Sequence, residues 1–314
     1  MSVLHDALSQ YLATRRALGT QLLWPESSLH KFVDFVEAEG AQFLTTELAL
    51  RWTLQSVGVQ RATHARRLTI VRGFAVWLQA TDPRTQVPPK GILPTPHRRP
   101  APHIYSDTEI AALMTAAGTL HSTSGLRGAT FKTLIGLLAA TGLRPGEALK
   151  LDVGDVDLTD GVLAVRESKF RKSRFVPLEC SACTALVAYA AFRDAVRPRR
   201  ETPAFLVTER GARLPGGVVR RTFASLCQSA GLRPRQHRRS GRGPRLQDLR
   251  HTFATRRLVE WYRAGLDVNR LMPRLATYLG HLSTVETYWY IQAVPELLRL
   301  ATERLETAAH GDVP

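Results

Sequence analysis

Four side chains in this sequence have the chemistry needed to hold and attack a phosphodiester. Arg144 lies in the run TGLRPGEAL, Arg250 lies in QDLRHTFAT, and His281 stands nine residues before Tyr290 in GHLSTVETYWY. A guanidinium donates two parallel hydrogen bonds to phosphate oxygens, and a tyrosine hydroxyl can act as a nucleophile. A histidine can hydrogen-bond the phosphate, or accept and donate a proton. Together these residue types suit the cleavage of a nucleic-acid strand without a metal ion.

The charge of the chain favours a polyanionic partner. The 314 residues include 43 lysines and arginines against 27 aspartates and glutamates, which gives a formal net charge of +16. Nucleic acid is the first candidate for such a partner, and a basic protein without one is the alternative. No apolar run reaches the roughly 18–20 residues of a membrane-spanning helix, and the N-terminus has no apolar signal core. We predict that the cysteines of the chain are reduced and form no disulfide. Because reduced cysteines are typical of the cytoplasm, we expect a protein of the bacterial cytoplasm.

Most of the chain has the periodicity of helices. Residues 161–165 and 174–178 are the exception, because they read as two strands joined in a hairpin by the basic run ESKFRKS. Ser106 and Glu109 have the spacing of a capping box, which predicts that a helix begins there. Apolar residues at helical spacing predict helices over 5–18, 25–39, 45–56, 60–80, 129–141, 180–194, 216–230, 247–264 and 268–279.

A proline-rich segment divides the chain. Prolines recur through residues 82–104, so neither a helix nor a strand can run through that stretch. We therefore predict a mainly α protein with a small helical domain over 1–81 and a basic linker over 82–105. A larger helical domain with a small antiparallel sheet, which is α+β in class, follows over 106–314.

Several arginines are candidate contacts to a nucleic-acid backbone, with an ordinary solvated surface as the alternative. They lie on the fourth predicted helix, in the linker and in the arginine-rich loop 231–245, where the composition is that of a flexible loop. The candidates are Arg61, Arg66, Arg67, Arg98, Arg99, Arg238 and Arg239.

The sequence resembles the tyrosine recombinases of the phage integrase family in three motifs, taken in order. These are TGLRPGEAL, ESKFRKSRFVPL, and the pair QDLRHTFAT with LGHLSTVETYWY. Any one of them alone would be weak evidence. The resemblance implies that residues 1–81 are a helical core-binding (SAM-like) DNA-binding domain and that 106–314 are the catalytic domain. It also implies that the two domains together clamp duplex DNA.

The same resemblance implies a role for each motif residue. Arg144 and Arg250 would bind the scissile phosphate, and Tyr290 would be the nucleophile. Lys169, in the hairpin, would protonate the departing 5′ oxygen, and His281 would hydrogen-bond the phosphate. No cofactor and no metal ion is implied.

Four of these five roles have a plainer alternative. Lys172 competes with Lys169, and Tyr288 competes with Tyr290, although helical spacing puts the two tyrosines about 200° apart so that only one can face a phosphate. Arg144 could be a structural ion pair with Glu147. An isolated histidine after Leu-Gly is ordinarily a satisfied core residue.

One position departs from the family pattern. The second box of the family usually reads H-x-L-R-H or K-x-L-R-H, whereas this chain has Gln247 three residues before Arg250. An amide can donate a hydrogen bond to phosphate but cannot carry a proton at neutral pH. Either base catalysis is weak in this chain, or His251 or His281 supplies it.

The resemblance implies a site-specific DNA recombinase that cuts and rejoins strands through a 3′-phosphotyrosyl bond, in the integration, excision or transposition of a mobile element. Four protomers would assemble on paired recombination sites, alone or beside other recombinases. The alternative is a non-catalytic DNA-binding partner of another recombinase. Beyond Pro295, residues 296–305 predict a short amphipathic helix, which would either pack on its own domain or dock on a neighbouring protomer.

Overall fold

The computed structural model describes residues 3–20, 22–94, 101–166, 173–199, 201–233, 243–292, 297–300 and 302–303. The chain divides into two compact units, Met1–Pro100 and Ala101–Pro314. The boundary lies within the predicted linker 82–105. The assignment of the first unit to DNA binding stays a prediction.

The first unit is helical, with a core formed by the apolar stripe of each helix. Phe32 of the second helix and Phe74 of the fourth are fully buried, as the helical spacing of apolar residues predicts. Thr45 caps the third helix by accepting a 3.2 Å hydrogen bond from the Leu48 backbone N–H. The helices of this unit are α1 (Val3–Ala17), α2 (Leu23–Ala38), α3 (Thr46–Leu54) and α4 (Arg61–Leu78).

The second unit adds a small sheet to a helical core. Three strands pair antiparallel in the order β1 (Val156–Asp157), β2 (Val162–Val165), β3 (Arg174–Pro177), with Leu163 opposite Val176 in the register. The helices around it are α5 (Asp107–Gly118), α6 (Leu126–Thr141), α7 (Pro145–Lys150), α8 (Cys180–Val196) and α9 (Gly216–Ser229).

A separate apolar cluster closes the end of the second unit. It joins α10 (Asp248–Arg263), α11 (Val268–Leu279) and α12 (Val285–Gln292). Tyr290 of α12 and Leu297, which follows α12, are both buried in this cluster. The helix that carries the predicted nucleophile is therefore packed against the helix that carries Arg250.

The elements predicted up to residue 279 are present, with local differences. Of the helix predicted over 296–305, residues 297–300 and 302–303 are described, and these are helical. The capping box of Ser106 and Glu109 forms at the start of α5. The hairpin gains a third strand, β1, and a six-residue helix, α7, follows Arg144; both are too short to produce a periodic signal. The helix predicted from residue 129 begins at Leu126, directly after Gly125 in the left-handed region. None of the helices in the described ranges is both long and apolar enough to cross a membrane.

Candidate active site

Two helix ends supply the frame that holds the predicted arginines. Gly142 (φ 61°) directly follows α6 and Gly280 (φ 69°) directly follows α11, both in the left-handed conformation that ends helices and favours glycine. A side chain at position 142 would also clash with its surroundings, because an added Cβ would lie 2.5 Å from Cδ1 of Phe253. The last carbonyls of a helix have no partners within it and carry the negative end of its dipole, so they attract a cation.

Arg250 is held by both helix ends. It is only 1% exposed, and its Nη1 and Nη2 atoms donate to the carbonyls of Gly142 (2.9 Å) and Leu279 (2.6 Å). Burial lowers the pKa of Arg250, while the charge and hydrogen bond of Tyr290 act in the opposite direction. A buried guanidinium is tolerable only when it is bonded in this way, and these bonds also determine where it points.

Arg144 lies beside it, between the end of α6 and the start of α7. Its Nη2 donates to the carbonyl of Gly280 at 3.2 Å, and its Nη1 donates to Oε1 of Glu147 at 2.8 Å. The ion pair with Glu147, which was the plainer interpretation of Arg144, is therefore present. It leaves the side chain 23% exposed, so the pair positions the guanidinium without enclosing it.

Arg174 of β3 joins the same carboxylate from the other side. Its Nη2 and Nη1 atoms donate to the two oxygens of Glu147 at 2.8 and 3.2 Å, and its Nε donates to the carbonyl of Tyr278 at 2.8 Å. Burial alone would raise the pKa of Glu147, but the hydrogen bonds from Arg174 and Arg144 outweigh burial and lower that pKa to about 2. Glu147 is therefore ionised and shared between two arginines.

His281 follows Gly280 and lies over the arginines. Its backbone N–H donates to the carbonyl of Ala276 at 2.9 Å, and its Nδ1 is 2.7 Å from Oγ1 of Thr287. Burial lowers its pKa to about 3, helped by the charges of Arg250, Arg144 and Arg174. The imidazole is thus neutral at physiological pH.

Tyr290 points into this site and Tyr288 does not. Tyr290 is 4% exposed, and its ring stacks on that of His281 with centroids 5.9 Å apart. The ring of His251 lies on another side at 5.2 Å. Tyr288 is 38% exposed, and its hydroxyl donates to Asn269 at 3.3 Å. Of the two tyrosines, the structure thus places Tyr290 beside His281, and its role as nucleophile stays a prediction.

The structure thus brings Arg144, Arg250, His281 and Tyr290 into one site. Gln247 is half-buried directly before α10, three residues before Arg250 in the sequence. Arg61 and Arg66 are exposed on α4, whereas the guanidinium of Arg67 lies 3.9 Å from the Trp52 ring centroid and donates to the Trp52 carbonyl. The predicted sites outside the described residues are Lys169, with its rival Lys172, and Arg98, Arg99, Arg238 and Arg239.

Sequence reasoning missed the part played by Arg174. It counted that residue only as one end of a predicted strand. A basic residue that begins a strand directly after a basic hairpin gives no signal that separates a surface charge from a buried ion-pair partner.

Comparisons with known proteins assign the chain to a family. The model of the phage integrase family matches residues 105–296. The protein y4rB of Sinorhizobium fredii, which carries an integrase/recombinase name, is 41% identical over 98% of this chain and 98% of its own length. The tyrosine recombinase XerD of Caulobacter vibrioides is 31% identical over 77% of this chain and 74% of its own length.

Solved structures share the fold at low sequence identity. The Tn1549 transposon integrase, solved with transposon right-end DNA, has a TM-score of 0.64 at 15% identity and covers 96% of this chain and 99% of its own. The XerH recombinase, solved with palindromic difH substrate, has a TM-score of 0.62 at 18% identity, covering 90% of this chain and 78% of its own. The chain therefore belongs to the phage integrase family and is a tyrosine-type site-specific DNA recombinase.

Proposed function

We propose that Tyr290 is the nucleophile with which this recombinase cuts and rejoins DNA. The hydroxyl oxygen of Tyr290 attacks the phosphorus and forms a 3′-phosphotyrosyl bond, the bond from phosphorus to the 5′ oxygen breaks, and the phenol loses a proton. Lys169 delivers a proton to the departing 5′ oxygen. Attack by a 5′ hydroxyl of the partner strand reverses these changes and releases Tyr290. The phosphodiester energy is kept in the covalent link throughout, so no ATP is consumed.

The observation that carries this proposal is the convergence of arginines on the tyrosine. Arg144 and Arg250 are bonded to the same helix end, at the carbonyls of Gly280 and Leu279, and Tyr290 acts electrostatically on Arg250. Positive charge that is already in place stabilises the negative charge that builds on the phosphoryl oxygens in the transition state.

The proton of Tyr290 needs an acceptor that Gln247 cannot be. The ring of His251 is 5.2 Å from that of Tyr290, centroid to centroid, and lies on the same helix as Arg250. We assign His251 as the acceptor. His281 is assigned to the phosphate.

The substrate proposed for this chain is a duplex recombination site at the ends of a mobile element. Support comes from the net charge of +16 and from the relatives solved with transposon-end DNA and with difH. The first unit would contact the phosphate backbone of the duplex through arginines such as Arg61 and Arg66. Four protomers on paired sites would exchange the strands, in the cytoplasm, alone or with other recombinases.

Covalent trapping tests the nucleophile. A binding selection from DNA flanking the gene yields a site, and a nicked duplex of that site traps the cleaved state on a denaturing gel. Wild type and Tyr288→Phe are expected to form the covalent band, while Tyr290→Phe binds DNA without forming it. The band is expected to persist in excess EDTA.

Two results would contradict the proposal. A covalent band from Tyr290→Phe together with none from Tyr288→Phe would move the nucleophile to Tyr288. DNA binding by the wild type without any covalent band would indicate the non-catalytic partner instead.

A further inference from the structure

Thr287 lies at the centre of the site but has no part in the mechanism above. It is fully buried on α12, one helical turn before Tyr290, and its Oγ1 is 2.7 Å from Nδ1 of His281. Its backbone is held at 2.8 Å from the Thr284 carbonyl by the first turn of the helix. The T-x-x-Y spacing therefore places a buried hydroxyl against the histidine on the same helix that presents Tyr290.

The direction of this hydrogen bond can be worked out from the hydroxyl. A buried hydroxyl needs an acceptor for its proton, and a threonine within a helix usually donates to the carbonyl four residues earlier. Thr69 and Thr141 do so here, at 2.8 and 2.6 Å. For Thr287 the carbonyl four residues earlier belongs to Ser283, which precedes α12. Among the described residues the Thr287 hydroxyl has one hydrogen-bond partner, which is Nδ1 of His281. The hydroxyl therefore donates and Nδ1 accepts.

A neutral imidazole that accepts at Nδ1 carries its proton on Nε2. The surroundings keep the ring neutral, since burial and the neighbouring positive charges oppose protonation. No described residue hydrogen-bonds Nε2, which lies on the side of the ring away from Thr287. The titratable and charged groups that face His281 are Arg250 and His251 from α10, Arg144 from the turn before α7, Arg174 from β3 and Tyr290 from α12.

We infer that Thr287 is a positioning residue that fixes His281 as the tautomer with a proton on Nε2. In that form His281 donates a hydrogen bond to a non-bridging phosphate oxygen and cannot accept the proton of Tyr290. The inference rests on the proposed role of the site in phosphoryl transfer, and it assigns the proton acceptor to His251. Because Thr287 and Tyr290 share α12, the histidine is correctly oriented only when that helix is in place.

The tautomer itself can be read without any reaction. Long-range proton–nitrogen NMR spectra of DNA-free protein labelled with 15N-histidine distinguish a protonated ring nitrogen from an unprotonated one, and His281→Gln identifies the His281 signals. We expect Nδ1 unprotonated and Nε2 protonated at pH 7, unchanged down to pH 5. In Thr287→Val we expect the preference between the two tautomers to weaken. A proton on Nδ1, or on both nitrogens, in the wild type would overturn the inference.

The kinetic consequence is tested by single-turnover cleavage of the nicked site. Thr287→Val keeps the shape and removes the hydroxyl, so cleavage should fall by about threefold to tenfold, the worth of one neutral hydrogen bond. Thr287→Ser should restore most of the rate. In the His281→Gln background, Thr287→Val should change the rate by less than about twofold, because a residue that acts through His281 has nothing left to position.

A matched control separates this effect from loss of a buried hydroxyl in general. Thr255 on α10 is 3% exposed, and within the described part of the chain its hydroxyl has no hydrogen-bond partner, so Thr255→Val should cleave like the wild type. Equal losses from Thr287→Val in both backgrounds, or no rescue by serine, would overturn the positioning role. Failure of the proposed function would look different: the wild type would form no covalent complex while the NMR spectra still reported the tautomer.

Discussion

Glu147→Gln should remove the electrostatic centre of the catalytic unit while barely changing its shape. The carboxylate accepts hydrogen bonds from the side chains of Arg144 and Arg174 and from the Arg144 backbone, and its side chain is 7% exposed. The amide of glutamine keeps one acceptor oxygen but no charge. Two guanidinium groups would then lie close together without the anion that binds both of them and offsets their repulsion.

The magnitude follows from the pKa of Glu147. A fall from 4.5 to about 2 corresponds to about 3 kcal/mol of stability at about 1.4 kcal/mol per pH unit. Because the folded-state pKa is the lower one, this stability is fully present above pH 4.5 and is lost as the pH falls towards 2. Glu147→Gln should therefore be about 3 kcal/mol less stable at pH 7, and the difference should shrink by about 1 kcal/mol at pH 3.5.

Urea unfolding followed by hydrogen-exchange mass spectrometry measures the loss of stability in Glu147→Gln. Peptides from α7 and α11 report on the catalytic unit separately from the first unit. Glu179→Gln is the matched control, because Glu179 pairs with Arg257 with 66% of its side chain exposed, and such pairs contribute about 0–1 kcal/mol. A loss in Glu147→Gln no larger than in the control, or a difference that does not shrink at low pH, would refute the reasoning.

Three further outcomes are expected, each measured as stated. In the same unfolding assay Gly142→Ala should lower the free energy of unfolding by at least about 2 kcal/mol more than Gly40→Ala. Both glycines have positive φ, but only a Cβ at 142 meets the Phe253 ring, so equal losses would contradict this prediction. Leu297→Ala should lower the stability of the DNA-free catalytic unit by about 2–5 kcal/mol, since Leu297 is fully buried in the cluster of Tyr290; no change would favour docking of the tail on another protomer. Arg61→Gln should weaken DNA binding in a filter or anisotropy titration and reduce the log–log salt slope by about 1, and an unchanged slope would place Arg61 off the phosphate backbone.

Helical periodicity predicted most of the fold because it is a local property of the sequence. The fourth helix was expected over 60–80 and is found over Arg61–Leu78, and the long helix of Arg250 was expected over 247–264 and is found over Asp248–Arg263. The two-residue strand β1 was not predicted, since a strand of that length is formed by its pairing with β2 and not by its own pattern.

Motif context selected residues that are far apart in the sequence as members of one site, and their catalytic roles stay predictions. Arg144, Arg250, His281 and Tyr290 were selected by their sequence context, and they lie together in the structure. The choice of Tyr290 over Tyr288 also came from the sequence. Residues two apart on a helix point to different sides, so only one of the two tyrosines can face a phosphate, and Tyr290 is the one that follows His281 by nine residues.

The sequence by itself thus determined the helices, the order of the motifs and the residue types that can hold and attack a phosphate. Only the tertiary structure decided what holds those residues in place. Arg250 is bonded to the ends of α6 and α11, 108 residues before it and 29 after it, and Arg174 reaches Glu147 across 27 residues. Such contacts depend on how distant segments pack around buried charge, and no local pattern of residue types records that packing.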